Sequence, residues 1–440
     1  MKRAFLFVLI SLMFVYLSGC GGSGNGPVQM TGTPMTLQTG DAVNDHIAKF
    51  ELTISSIILT GASGTTDTAN LLSGPAEVEF SHQAGAFEPL TLAHVPPGTY
   101  NGASVMVSNP EVVAIVGGVA TKLTPTLSST TVNVSFSPNV TVGTSPMFLN
   151  FDLDLANSVT INGTSATIAP KFNVSTSTVA PNQNNENDDD GEIEDVHGSV
   201  TSIAAPNFTI QTRTGPITFA TDSTTRFQDG IAQLSDLKMG DIVEVAGITK
   251  SDGTKLATKV EREGDRNGVE VEGLISALDS PLSKITIVHQ MDSTGSSNSP
   301  VTVDVSVNSS TVFSTRFDKL NITNAPIFDA THIGKGQRIE ADASSSSAPL
   351  IASKVKLREQ ALVGTVAASP APTSAGFTLN ISSTSAFGTL SGATSVPVIL
   401  ANGATLETTP SAGASIRVRG LVFFNGTTYT MVAVRGDDNH

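Results

Sequence analysis

The 440-residue chain contains one cysteine and no tryptophan. A single thiol cannot close an internal disulfide, so packing and hydrogen bonds must hold the fold together even in an oxidising compartment. Aromatic residues make up 5% of the chain, too few for the two aromatic girdles of a transmembrane β-barrel. Charged residues are also scarce, at 14%, and the 24 basic ones are outnumbered by 39 acidic ones, for a formal charge of −15. Without clustered Lys and Arg there is nothing to neutralise a phosphate backbone, which speaks against nucleic acid as a partner. No long stretch repeats its apolar residues every 3.6 positions. The abundance of Ser, Thr, Gly, Asn and Val favours strands and turns over helices.

The N-terminus has the three parts of a secretory signal in order: Lys2 and Arg3, an apolar run from Ala4 to Leu17, then Ser18 and Gly19. The run is shorter than the roughly 20 residues that span a bilayer. Leu17-Ser18-Gly19-Cys20 resembles the lipobox of bacterial lipoproteins. The resemblance implies that residues 1–19 are a removable signal peptide and that Cys20 is the lipidation residue and mature N-terminus. Several acyl chains on Cys20 would hold the protein to a membrane without spanning it. Gly21, where an Asp would favour retention, implies the outer membrane; the leaflet and face stay open. Residues 20–29 are Gly-rich and read as a flexible tether.

Residues 30–176 alternate short apolar runs with turn residues, as an antiparallel sandwich does. Phe50, Leu52 and Ile54 share one parity, and Ile57 and Leu59 take the other after Ser55-Ser56, so a bulge is expected between them. In Phe148 to Leu155 the apolar set is Leu149, Phe151, Leu153 and Leu155, which predicts one buried face and one wet face carrying Asn150, Asp152 and Asp154. Three features resemble the lipoprotein family known as domain of unknown function 4382: the turn Val95-Pro96-Pro97-Gly98-Thr99-Tyr100, the strand Phe151-Asp152-Leu153 with Ser158-Val159, and Ala169-Pro170-Lys171-Phe172. That family implies a prealbumin-like sandwich and no activity. Gly40-Asp41-Ala42-Val43 lacks the proline usual near its start.

Residues 177–195 turn polar and acidic, with Ile193 as the only large apolar side chain from Pro181 to Asp195, and read as a disordered linker. Beyond them three units repeat loosely, at 196–263, 269–359 and 361–436. Each opens on a strand holding a glycine, at Gly198, Gly273 and Gly364, and each has a late glycine turn before a closing hairpin. Leu237-Lys238-Met239-Gly240-Asp241 with the strand Leu256 to Val260 resembles the family known as domain of unknown function 5666; Gln337 and Ser415 replace the Asp in units two and three. Each unit is expected to be a small OB-like antiparallel barrel or sandwich, so the fold class is all-β throughout.

Few residues form a pattern that points to chemistry. Glu186, Asp188 and Asp190 before Gly191 space oxygens as a calcium loop does, but the twelfth position is His197 instead of Glu. These three are the candidate metal ligands, and a solvated linker is the plainer reading. Asp152 and Asp154 share a strand face, as alternation alone predicts. Seven dispersed histidines form no zinc-type pair, and no nucleophile elbow or phosphate loop is present. Arg435-Gly436-Asp437, an adhesion-type tripeptide, reads as a frayed polar tail. The expectation is a lipid-anchored, non-enzymatic envelope protein, a string of β units binding an envelope protein or glycan or building surface structure, with no cofactor. The alternatives are a polysaccharide-active enzyme or its accessory subunit, and a calcium-dependent adhesin.

Overall fold

The computed structural model describes residues 32–42, 46–81, 83, 87–178, 192–212, 214–250, 253–262, 269–292, 300–315, 325–343, 348–382, 384–406 and 409–438. Cys20 and the linker acids Glu186, Asp188 and Asp190 fall outside them. Among the described residues no helix is long and apolar enough to cross a membrane.

The sandwich is built from β1 (Thr33–Ala42), β2 (Ile47–Gly61), β3 (Ala76–Glu79), β4 (Glu88–Val95), β5 (Gly98–Val116), β6 (Val119–Lys122), β7 (Thr124–Leu127), β8 (Thr131–Val142), β9 (Met147–Asp154), α1 (Leu155–Ser158), β10 (Val159–Asn162), β11 (Ser165–Ile168) and β12 (Phe172–Thr178). One sheet has the order β12-β9-β1-β4, the other β3-β2-β5-β6 with β8 also on β5, and β10-β11-β7 form a small third sheet. The two large sheets bury Phe50, Leu52, Ile54, Tyr100, Phe151 and their neighbours between them. The expected break in β2 is there, as a register shift between Ile54 and Ser56 against β5.

Two expectations are corrected. The β1–β9 and β7–β11 pairs are parallel, so the sandwich is mixed. The outer face of β9 is not wet at its start: Phe148 and Asn150 are buried beside Thr36 and Gln38 of β1, because that sheet is covered on both sides. Asp154 is a helix cap, its carboxylate accepting from Asn157 N at 3.0 Å. The Pro-Pro-Gly-Thr-Tyr turn has a physical reason. Tyr100 is fully buried, and its hydroxyl donates to Pro96 O at 2.9 Å, pinning the turn to the core.

The first repeat comprises β13 (Glu192–Ala204), β14 (Asn207–Thr212), β15 (Gly215–Ala220), β16 (Arg226–Gln228), β17 (Ile242–Thr249) and β18 (Lys255–Arg262). Its first strand takes in Ile193, which composition places in the linker; buried in the barrel core, that side chain has a reason to fold. The second repeat comprises β19 (Val269–Leu278), β20 (Lys284–Asp292), β21 (Thr302–Ser306), β22 (Val312–Thr315), β23 (Arg338–Ala343) and β24 (Leu350–Leu357). The third comprises β25 (Gln360–Val366), β26 (Gly376–Ile381), α2 (Ala386–Ser391), β27 (Ser395–Leu406), β28 (Ser415–Phe424) and β29 (Tyr429–Asp438).

All three share one topology. A three-strand meander is followed by a hairpin whose first strand pairs with the opening strand and whose second runs parallel to the third strand, closing a small barrel. This is the OB-like architecture the pattern predicts. The repeated glycines mark two fixed points. At Gly198, Gly273 and Gly364 a Cβ would lie 2.6, 1.8 and 2.2 Å from a carbonyl oxygen of the neighbouring strand, so only hydrogen fits. Gly240, Gly336 and Gly413 all have φ between +82° and +84°, the left-handed turn before the closing hairpin.

The repeats do not form an extended string. Gly32–His440 is one compact unit. Leu421, Phe423, Val432 and Val434 on the outside of the third barrel join the core of the second. The sandwich meets both: Gln290 donates to Ala48 O at 2.6 Å, and Ala48, Val113, Leu274, Val288, Ala386 and Leu390 form a shared apolar junction. Besides their apolar interiors the barrels carry apolar and charged side chains outside, and these outer faces are buried against each other. Arg435 to Asp437 belong to β29, paired with β28, and are not a frayed tail.

Candidate binding groove and ionic seam

Strand alternation places charged residues on the outer faces of the first two barrels, where they meet in a seam. Glu244 faces Glu261 across β17–β18, and Glu272 faces Glu340 across β19–β23. Like charges directly opposite destabilise a sheet, and these are buried, Glu244 and Glu340 to within 1%. Cations from β18, β23 and β24, with Arg358 just after β24, offset them. Arg358 Nη1 lies 3.0 Å from both Glu244 and Glu340; Lys356 lies 3.1 Å from Glu261 and 2.7 Å from Glu340; Lys259 lies 3.2 Å from Glu244. Arg338 pairs with Glu272. Burial pushes Glu244 and Glu340 up, but Arg358 with Lys259, and Lys356 with Arg358, outweigh it and hold both carboxyls below the usual range.

The seam also gathers metal-type donors. His197, Glu270 and Glu272 offer atoms within 4.8 Å of one another, as do Glu270, Glu340 and Asp342. Ammonium and guanidinium groups already balance these carboxylates, and the carboxylates are at most 5% exposed. The set acts as structural charge, because a general acid or base must reach substrate. The metal candidates that the sequence suggests, Glu186, Asp188 and Asp190, lie outside the described residues.

A different place has the features of a ligand site. Between the edge strand β4 of the sandwich and the first barrel lies an open groove of about 630 Å³. One wall is Pro89 to Leu92 and His94; the other is Gly215 to Thr218 of β15; the β17–β18 turn, Gly253 to Lys255, reaches in beside Pro34. Its size is that of a small-molecule site.

Lys255 is the unusual member. It is 8% exposed, and among the described residues its ammonium has no hydrogen bond or ion pair; burial alone pushes its pKa down. His94 Nδ1 is also buried without a hydrogen-bond partner among the described residues. An ammonium without a counter-ion among the described residues, at the wall of a concavity, is what a preorganised site presents before its ligand arrives. Nothing in the sequence marks either residue: His94 is one of seven scattered histidines, and Lys255 opens a strand like any other, with no spacing to distinguish it.

Comparisons with known proteins add a coarse placement. No curated protein matches the chain. Among solved structures, a chain of drosophila Unr CSD456 aligns at 12% identity over 54% of this chain and 94% of its own, with a TM-score of 0.14, a likeness too slight to argue from. Residues 197–261, the body of the first barrel, match the family described as Domain of unknown function (DUF5666).

Proposed function

We propose that this chain is a lipid-anchored cell-envelope protein that works as a non-enzymatic binding module, with the groove between sandwich and first barrel as its ligand seat. The observation that carries the reading is Lys255, a side chain only 8% exposed whose ammonium has no partner among the described residues, at the wall of a small-molecule-sized groove. The anchoring half rests on Lys2 and Arg3, the apolar run and Leu17 to Cys20, which support removal of residues 1–19, attachment through Cys20 and residence at the outer membrane. The turn pinned by Tyr100 supports the likeness of the sandwich to domain of unknown function 4382. The shared topology and glycines support counting the second and third barrels with the first.

The experiment is hydrogen-exchange mass spectrometry of the full chain with and without fractionated envelope lipids and glycans. Protection confined to Leu90–His94, Gly215–Thr218 and Gly253–Lys255 is expected; protection elsewhere, or none with any fraction, overturns the reading. Partition of the wild type into detergent, lost in Cys20→Ala, tests the anchor separately.

A further inference from the structure

We propose that the groove takes a small monocarboxylate with an aliphatic body, its carboxylate against the Lys255 ammonium; this rests on the groove being the ligand seat. The chain has 39 acidic and 24 basic residues, yet among the described residues no Asp or Glu lines this concavity, and its two titratable groups are Lys255 and His94. Among the described residues the lining is therefore basic where the chain as a whole is acidic. An ammonium on a largely buried side chain is costly without a counter-ion, and an anion removes that cost while gaining a charge-assisted hydrogen bond.

The head group is singly charged by the same reasoning. One ammonium balances one carboxylate, whereas a phosphate monoester carries about −1.5 to −2 and would leave charge uncompensated in a partly buried site. The body follows from the walls. Pro34, Pro89, Pro216 and Ile217 line the groove, and Leu92 is 43% exposed there, a large apolar side chain left uncovered. Among the described residues no Phe, Tyr or Trp lines it, so the broad stacking surface that a neutral sugar ring uses is missing. An aliphatic chain covers proline, leucine and isoleucine without needing one.

The test is isothermal titration of the full chain with octanoate, acetate and 1-octanol, on wild type, Lys255→Met and Lys255→Arg. Octanoate is expected to bind at least tenfold tighter than either acetate or octanol. It should weaken at least tenfold in Lys255→Met, stay within about threefold in Lys255→Arg, and weaken at a pH below the ordinary lysine value of about 10.4. Lys255→Met exchanges a buried cation for an unbranched apolar chain of similar length, and its melting curve checks that it folds. If octanol binds as well as octanoate, and Lys255→Met changes neither, the groove remains a ligand seat and the carboxylate inference fails. If acetate matches octanoate, the aliphatic body is wrong. If a neutral glycan protects the groove in hydrogen exchange and octanoate does not bind, only the inference falls; if nothing binds there, the seat itself falls.

Discussion

Arg358 bridges two barrels through one nitrogen, and replacing it with Met isolates what that bridge does. Met fills much of the volume, so the change removes charge more than packing. The wild-type guanidinium is 3.0 Å from Glu244 of the first repeat and 3.0 Å from Glu340 of the second, both buried. Breaking a buried ion pair from one side costs about 3–5 kcal/mol, since the abandoned carboxylate stays in a poorly solvating place. Two carboxylates are abandoned here, but Lys259 remains at Glu244 and Lys356 at Glu340, so the low end, about 3 kcal/mol, is expected. Urea unfolding at pH 7 measures it. Adding Glu340→Gln to Arg358→Met should recover part of the loss, because one of the orphaned charges is then gone. A second signature is pH: the difference between wild type and variant should shrink as pH falls through 5, where the orphaned carboxyls protonate. A loss below about 1 kcal/mol that is the same at pH 7 and pH 5 would refute the view that Arg358 compensates buried charge.

Other outcomes follow from the same structure. Glu244, Glu261 and Glu340 all titrate below the usual carboxylate range in the folded chain, after burial is outweighed by Lys356, Lys259 and Arg358. Their contribution is present above about pH 4.5 and is lost as pH falls towards the folded values, so acid unfolding followed by circular dichroism should set in below pH 4.5. Tyr100→Phe removes the hydroxyl that holds Pro96 O at 2.9 Å; a loss of about 0.5–1.5 kcal/mol in urea unfolding is expected. Gly273→Ala puts a methyl 1.8 Å from Val288 O, and the forced separation of β19 from β20 should cost roughly 1–3 kcal/mol or more by the same assay.

The fold class could be read from the sequence because its signals are local. Alternation in β8 and β9, the shift of parity in β2, and the three late glycines each depend on a few neighbouring residues. What could not be read depends on partners far along the chain. Glu270-Val271-Glu272 and Lys354-Val355-Lys356-Leu357-Arg358 have the same alternation whether the charged face meets water or another barrel. The replacement of Asp241 by Gln337 in the second unit looks like divergence. In the structure both side chains accept from the backbone N–H three residues earlier, Lys238 and Gly334, but only an amide can also donate, as Gln337 does to Val422 O of the third barrel at 2.7 Å. The candidate site was hidden for the same reason. His94 and Lys255 sit 161 positions apart in the chain, each ordinary in its own strand, and only the docking of barrel on sandwich brings them to one groove.

The facing glutamates of the seam bear on how such a chain can be rearranged in evolution. Glu244 opposite Glu261, and Glu272 opposite Glu340, are tolerable only because the second repeat contributes Arg358 and Lys356 to the first and shares them. A first barrel transplanted without its neighbour would carry two adjacent acids with Lys259 between them as the ammonium of its own that reaches both. The units share one topology but are not interchangeable cassettes: deletion, shuffling or addition of a barrel would have to rewrite the charges on its neighbour in the same step.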